Sequence, residues 1–165
     1  MQIIKPPDFL SVVNSKHVLL DTTVFIDAML HPAEFANFFN ELKDSEVTLV
    51  TLEVVVMEFV KGAANDIKFK EKKRLVDGIV EAYLPITHQT NNYGMALVQK
   101  YREYGKALSN VDFLLGATLV NYSNTLLLMT RDCTDFPSNI FTLRSCFNVL
   151  YPRGLHVYGV YTYKS

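Results

Sequence analysis

Short apolar runs alternate along the chain with longer segments in which apolar residues recur at helical spacing. The runs over residues 17–21, 47–52 and 125–129 are rich in aliphatic side chains, which is typical of strands buried on both faces. Helical stripes follow over residues 22–30, 34–42, about 51–62, 65–80, 88–108 and 110–120. This alternation predicts an α/β domain with a mostly parallel central sheet.

Turn and capping residues delimit these elements. Thr22 or Thr23 can cap the helix after the first strand, and Gly62 predicts the end of a later helix. Further short elements are predicted as a helix over 6–13, an edge strand over 83–86, and late strands over 147–150 and 157–163, separated by residues 152–154. We expect a single domain over residues 1–165, with the motif-bearing part at 17–137 and C-terminal strands in 138–165.

Composition narrows the classes of protein without naming one. Of the 165 residues, 49% are hydrophobic, enough for a sizeable core, and the net charge of −1 gives no global basic field for nucleic acid. Cys133 and Cys146 have no CxxC spacing, so we interpret them as free thiols of a reducing cytosol. The N-terminal residues form no long apolar h-region, and no apolar run approaches about 20 residues. We therefore expect no secretory signal and no membrane span, and we predict a cytoplasmic protein.

Four acidic residues lie in apolar surroundings and carry the candidate chemistry. Asp21 ends the first strand, Glu58 lies in an apolar helix, Asp112 begins another, and Asp132 follows the strand at 125–129, with Asp135 three residues on. Carboxylates are rarely buried unless they are paired or bind a cation. Each acid alone also has a structural interpretation, namely a helix cap, a solvent-exposed carboxylate, a dipole contact or an Asx turn.

A divalent cation would resolve the repulsion if these acids converge. Mg²⁺ and Mn²⁺ prefer oxygen ligands, and one or two such ions support in-line hydrolysis of a phosphodiester. The predicted cofactor is therefore Mg²⁺ or Mn²⁺.

Four short motifs, in order along the chain, resemble those of PIN-domain nucleases. They are LLDTTVFID (residues 19–27), EFVKGA (58–63), VDFLLGAT (111–118) and LMTRDCTDF (128–136). The resemblance covers about residues 18–137. It implies a three-layer α/β/α domain, a Mg²⁺- or Mn²⁺-dependent ribonuclease site and an RNA substrate. Many small members resembling this chain are VapC-type toxins of toxin–antitoxin pairs, which implies a possible homodimer and a small antitoxin partner.

Carried over residue by residue, the resemblance assigns the metal site to four acids. They are Asp21, Glu58, Asp112 and Asp132, and Asp135 is an alternative fourth ligand. Thr130 would hold a ligand or water by its hydroxyl, and Thr22 and Thr23 would support Asp21. Thr23 stands where the family often has Asn, which puts one hydrogen bond to the first Asp or to a water in doubt.

Other features have a functional and a plain interpretation. Arg131 and Lys61 could contact RNA phosphates. Lys61 belongs to a basic cluster that runs to Arg74, and the simpler interpretation of that cluster is a solvated helix face. The tyrosines at 158, 161 and 163 could stack bases, and the phenylalanines at 35, 38 and 39 could form an interface; core packing is favoured for both groups. Asp27 is expected to be a supporting or surface residue rather than a ligand.

The function predicted from the sequence is a metal-dependent endoribonuclease. The alternative is a non-catalytic PIN-like module that binds a cation, RNA or a protein. A third interpretation, Asp21 as a phosphate-attacking nucleophile, lacks the second Asp that dehalogenase-like enzymes carry two positions on, where this chain has Thr23.

Overall fold

A seven-stranded mixed sheet forms the centre of the computed structural model, which describes residues 1–103, 105, 108–152 and 154–164. The strands are β1 (Gln2–Ile4), β2 (His17–Leu20), β3 (Thr48–Thr51), β4 (Ala82–Tyr83), β5 (Leu126–Thr130), β6 (Phe141–Tyr151) and β7 (Gly154–Tyr163). The helices are α1 (Phe9–Val13), α2 (Thr22–Leu30), α3 (Pro32–Asp44), α4 (Glu53–Lys61), α5 (Asp66–Ile79), α6 (His88–Glu103) and α7 (Asn110–Asn121), and Cys133–Asp135 forms a 3₁₀ turn.

Four parallel strands, in the order β5-β2-β3-β4, make the half of the sheet that positions the site. The chain moves outward from β2 to β3 and β4, then returns through α6 and α7 to β5 on the other side of β2. Right-handed crossovers with this reversal place the two groups of helices on opposite faces, which gives three α/β/α layers and confirms the predicted fold class. The reversal also leaves a crevice at the carboxyl ends of β2 and β5.

The other half of the sheet is antiparallel and is larger than the sequence pattern predicts. β6 and β7 form a long hairpin from Phe141 to Tyr163, where only residues 147–150 and 157–163 were expected to be strands. β1, which was not predicted, pairs with β6 so that Ile3 faces Val149. Mixed polar and apolar residues on half-exposed antiparallel strands obscure the period-two pattern, which explains the missed lengths.

Helix ends agree closely with the predicted boundaries. α2 ends at Leu30 and α3 begins at Pro32, which confirms two separate helices where stripes were predicted over 22–30 and 34–42. Asn65 caps α5 by accepting the Lys68 N–H at 2.9 Å. Gly62 follows α4 as predicted, but its φ of −79° is an ordinary right-handed value. Of the predicted helix over 88–108, the structure describes His88–Glu103 as helical; residues 104, 106 and 107 lie outside the described part of the chain.

The core holds the aromatic groups for which core packing was favoured. Phe35, Phe38 and Phe39 are buried on α3, and Tyr158 and Tyr161 are buried on β7. The Tyr158 ring stacks on Phe147 with centroids 4.9 Å apart, and Phe147 in turn contacts Phe38. These rings join α3 to the β6–β7 hairpin. Both cysteines are free, as expected. No described helix is long and apolar enough to cross a bilayer.

Candidate metal-dependent active site

An acidic cavity of about 450 Å³ opens at the carboxyl ends of β2 and β5, where the chain reverses. Four predicted site acids lie on its wall: Asp21, Glu58, Asp112 and Asp132. The remaining wall residues are Thr22, Thr23, Ile26, Phe59, Gly62, Lys72 and Ser109. Parallel β2 and β5 end level with each other, since Leu20 faces Met129, and this register brings the residues after both strands together.

Asp21 is the most deeply placed of these acids, with only 4% of its surface exposed. Asp21 is the N-cap of α2, and its Oδ1 accepts the Thr22 N–H at 2.6 Å. The prediction that Thr22 or Thr23 caps this helix is therefore wrong. Its Oδ2 accepts the hydroxyls of Thr23 at 2.9 Å and Thr130 at 2.7 Å. Burial nevertheless outweighs these donors and raises the pKa of Asp21 to about 6.

The two threonine hydroxyls are themselves oriented by the chain that follows β5. The N–H of Arg131 donates to the Thr23 hydroxyl at 3.2 Å, and the N–H of Asp132 donates to the Thr130 hydroxyl at 3.0 Å. Each hydroxyl therefore accepts from the backbone and donates to Asp21. The hydrogen bond that seemed in doubt with Thr23 in place of Asn is supplied by the Thr23 hydroxyl.

Glu58 reaches the cavity from α4. Its side chain is exposed, and its Oε2 accepts a hydrogen bond from the Thr22 hydroxyl. Because Thr22 directly follows Asp21, this contact ties the first turn of α2 to α4 and sets Glu58 beside the buried acid.

Asp112 contributes from the first turn of α7, where it also completes a capping box. The Asp112 N–H donates to the Ser109 hydroxyl at 3.1 Å, while Asp112 Oδ2 accepts from the Ser109 N–H at 3.3 Å and its hydroxyl at 2.7 Å. Asp112 therefore both caps α7 and lies on the cavity wall. Burial, followed by the negative charge of Asp135, raises the pKa of Asp112.

The fourth motif offers two aspartates, and the structure places them differently. Asp132 lies on the cavity wall, whereas Asp135 does not. Asp135 belongs to the 3₁₀ turn, and its backbone carbonyl accepts the Tyr101 hydroxyl at 2.6 Å. Burial and the charge of Asp135 raise the pKa of Asp132, so Asp135 acts on the site through its field.

Two cations predicted to contact RNA are not on the cavity wall. Lys61 is exposed at the end of α4, and the basic side chain that does line the cavity is Lys72 of α5. Lys72 Nζ donates to the Phe59 carbonyl at 2.6 Å and lies 4.5 Å from the centre of the Phe59 ring. The sequence placed Lys72 in a basic cluster but gave no sign of which member faces inward.

Arg131 points to Asp27 instead of lining the cavity. The Arg131 guanidinium contacts both Asp27 oxygens. Asp27 is 1% exposed, so of the two expected roles, a supporting residue or a surface residue, the surface one is wrong. His156 and Tyr158 complete the group around Asp27. Both come from β7, far along the chain, and local spacing cannot reveal such a cluster.

The donor set fits a hydrated cation better than a cage of carboxylates. Among the residues that the structure describes, no group of three or more acidic, histidine or cysteine side chains lies close enough to hold a metal ion jointly. Asp21 and Asp112 direct oxygens to hydroxyls and backbone N–H groups, and the assignment of one or two ions to the four acids stays a prediction. A cation held by one or two carboxylates and water remains compatible with this all-oxygen wall.

Comparison with known proteins agrees with this geometry. The sequence profile of the PIN domain matches residues 18–136, a span that contains all four wall acids. The chain belongs to the PIN domain family. PIN domains are generally Mg²⁺-dependent nucleases that bind a divalent metal. A comparison with the sequences of curated proteins gives no match.

A solved structure supports the PIN fold independently. The chain is similar to a chain in the crystal structure of VapBC2 from Rickettsia felis bound to a DNA fragment from their promoter. The TM-score is 0.56 and the identity 18%, and the match covers 67% of this chain and 85% of the other. At this identity the likeness concerns the fold of the PIN domain.

Proposed function

We propose that this PIN domain is a metal-dependent endoribonuclease that hydrolyses RNA phosphodiester bonds. The observation that carries the proposal is the position of Asp21, a buried carboxylate with a raised pKa, on a cavity wall with three more acids. None of the four forms an ion pair with a described basic residue, so the cavity has an excess of negative charge that a cation would neutralise.

Asp21 and Asp132 are the residues we assign to hold Mg²⁺ or Mn²⁺, one or two ions, with Glu58 and Asp112 acting through bound water. When bound, such an ion supplies Lewis-acid activation of water and charge neutralisation at the phosphate. The chain itself fixes the orientation of Asp21 through Thr22, Thr23 and Thr130. Burial raises the pKa of Asp112 and of Asp132, which makes each carboxylate a better proton acceptor than an exposed aspartate.

The substrate strand is proposed to cross the mouth of the cavity beside α5. Lys72 is the wall cation that can contact a phosphate, and the exposed members of the same basic cluster, Lys61 included, extend that field along the surface. Arg131 is committed to Asp27 and serves the site by fixing the loop that carries Asp132.

A toxin role is the finer form of the proposal. The likeness to a VapBC2 structure supports a VapC-type toxin that acts in the cytoplasm, forms a homodimer and is inhibited by a small antitoxin. The free cysteines agree with a reducing compartment.

Cleavage of a labelled RNA panel tests the proposal. We expect cleavage in Mn²⁺ or Mg²⁺, none in EDTA, and none by Asp21→Asn or Asp112→Asn in matched amounts. Asp44→Asn, an exposed acid of α3, is the control and should cleave normally. Full activity of both site variants in Mn²⁺ would exclude this mechanism.

A non-catalytic binding module is the second candidate, and one observation favours it. The acids do not lie close enough for three of them to hold one ion directly. Calorimetric Mn²⁺ binding without cleavage of any RNA in the panel would establish the module and reject the nuclease.

A further inference from the structure

A second cavity lies at the opposite end of the parallel strands from the acids. It has a volume of about 310 Å³ and is lined by the residues before β5 and by parts of β6 and β7. Thr125 lies on its wall directly before β5, whereas Thr130, the last residue of β5, contacts Asp21 at the other end. At about 3.3 Å per strand residue the two cavities are separated by about 16 Å.

The charge of this second cavity is the reverse of the first. Lys16, Arg144 and Lys164 lie on its wall, and none of the described residues that line it is acidic. Within the described part of the chain, Lys16 Nζ and Lys164 Nζ donate to backbone carbonyls, those of Asn124 at 3.4 Å and Ser138 at 3.3 Å. Arg144 forms no ion pair or side-chain hydrogen bond with the described part of the chain. Three basic residues thus line one cavity, and no described carboxylate pairs with them.

The backbone at Arg144 departs from the regular ladder. Leu143 faces Tyr161 and Ser145 faces Val160, so Arg144 is an extra residue in a β-bulge of β6. Bulges re-aim a side chain and are common beside functional sites. Here the bulge accompanies an Arg on the wall of a cavity that also contains the threonines 125, 142 and 162. The Thr162 hydroxyl donates to the Ser123 carbonyl at 3.2 Å, which stiffens this wall.

We propose that this basic cavity is a second ligand site that binds a phosphate group. A phosphate accepts several hydrogen bonds at once, so its oxygens can meet the planar Arg144 guanidinium, a lysine ammonium and a threonine hydroxyl together. The phosphate can be carried by a nucleic-acid strand or by a small molecule such as a nucleotide. The inference depends only on this cavity and stands whether or not the acidic cavity cleaves RNA.

Calorimetry with sodium pyrophosphate, on the full chain in EDTA, tests the proposal. EDTA keeps metal–pyrophosphate complexes away from the acidic cavity. Arg144→Gln and Lys16→Gln should each weaken binding about 10-fold, because each removes one charge-assisted hydrogen bond. Lys43→Gln, an exposed lysine on α3, should leave binding unchanged. Thermal melts of all variants verify that the fold is retained.

A short labelled oligodeoxythymidine, which is not a ribonuclease substrate, identifies the source of the phosphate. Oligonucleotide binding that pyrophosphate displaces and both variants weaken supports a nucleic-acid strand; pyrophosphate binding alone supports a small phosphate ligand. The site is overturned if pyrophosphate does not bind, if both variants bind it normally, or if succinate binds equally well.

Discussion

Arg131 Nη1 lies 3.2 Å from Oδ1 and 3.3 Å from Oδ2 of Asp27, so one guanidinium nitrogen bridges both oxygens of a fully buried carboxylate. Asp27 Oδ2 also accepts the Tyr158 hydroxyl at 2.6 Å. Burial alone would raise the pKa of Asp27, but the hydrogen bonds from Tyr158 and His156 and the Arg131 charge lower it below the usual value. The pair joins α2 to the loop between Thr130 and Asp132.

Asp27→Asn is expected to lower the free energy of unfolding by about 3 kcal/mol, because it leaves Arg131 without its buried partner. Urea denaturation at pH 7 measures this change. Since the pKa of Asp27 is lowered on folding, its contribution is present above the ordinary pKa of 3.8 and disappears as pH falls below that value. The difference between the two proteins should therefore shrink in acid.

Asp77→Asn provides the matched control for that measurement. Asp77 forms an exposed ion pair with Lys73 within one helix, and such pairs contribute little. We expect a change within about 0.5 kcal/mol. If both variants lost the same free energy of unfolding, burial of Asp27 would not make the Asp27–Arg131 pair more stabilising than the exposed Asp77–Lys73 pair.

Asp21→Asn should raise the stability of the metal-free protein at pH 7. The pKa of Asp21 rises from 3.8 to about 6 on folding, so the native state binds more protons between these values and its stability falls as pH rises through them. About two pKa units correspond to about 3 kcal/mol, which the neutral amide avoids. Thermal melts in EDTA from pH 4 to 7.5 test this, with Asp44→Asn for comparison.

Thr130→Val should raise the pKa of Asp21 further and reduce cleavage about 10-fold or more, because Oδ2 loses one of its two hydroxyl donors. Thr130→Ser keeps the hydroxyl and should restore most of the activity. The pH–rate profile separates this effect from misfolding, since the acidic limb should shift upward in the Val variant alone. Identical profiles for Val and Ser would rule out a role for the hydroxyl.

Asp132→Asn and Asp135→Asn distinguish the two aspartates of the fourth motif. Asp132 lies on the cavity wall, so its amide variant should lose about 100-fold in cleavage and bind Mn²⁺ weakly. Asp135→Asn should remain within a few-fold of the original protein, because Asp135 acts by its charge at a distance. The opposite order would assign the ligand role to Asp135.

The parallel half of the fold could be predicted because its signals are local. A buried strand reads as a short apolar run, and β2, β3 and β5 do so within five residues each. The acids that follow or neighbour these strands converge because parallel strands end at one edge, so Asp21 and Asp132 meet at the cavity as the sequence pattern indicates.

Contacts between distant segments could not be predicted in the same way. Asp27 contacts Arg131 and His156, which both lie more than a hundred residues after it in the sequence. Which lysine of the basic cluster faces the acids depends on how α5 packs beside α4, and it is Lys72, not Lys61. Strand β1 has only three residues, and its pairing with β6 leaves no periodic signal.

The pairing of β1 with β6 also sets an order of events during synthesis. Ile3 is made well before its partner Val149, which lies almost 150 residues further along the chain. The parallel strands and the acidic cavity use residues up to Asp132, so they can assemble on the nascent chain while β1 still lacks a partner. β1 can therefore pair only after β6 has been made, and by then all the residues that line the acidic cavity have been made.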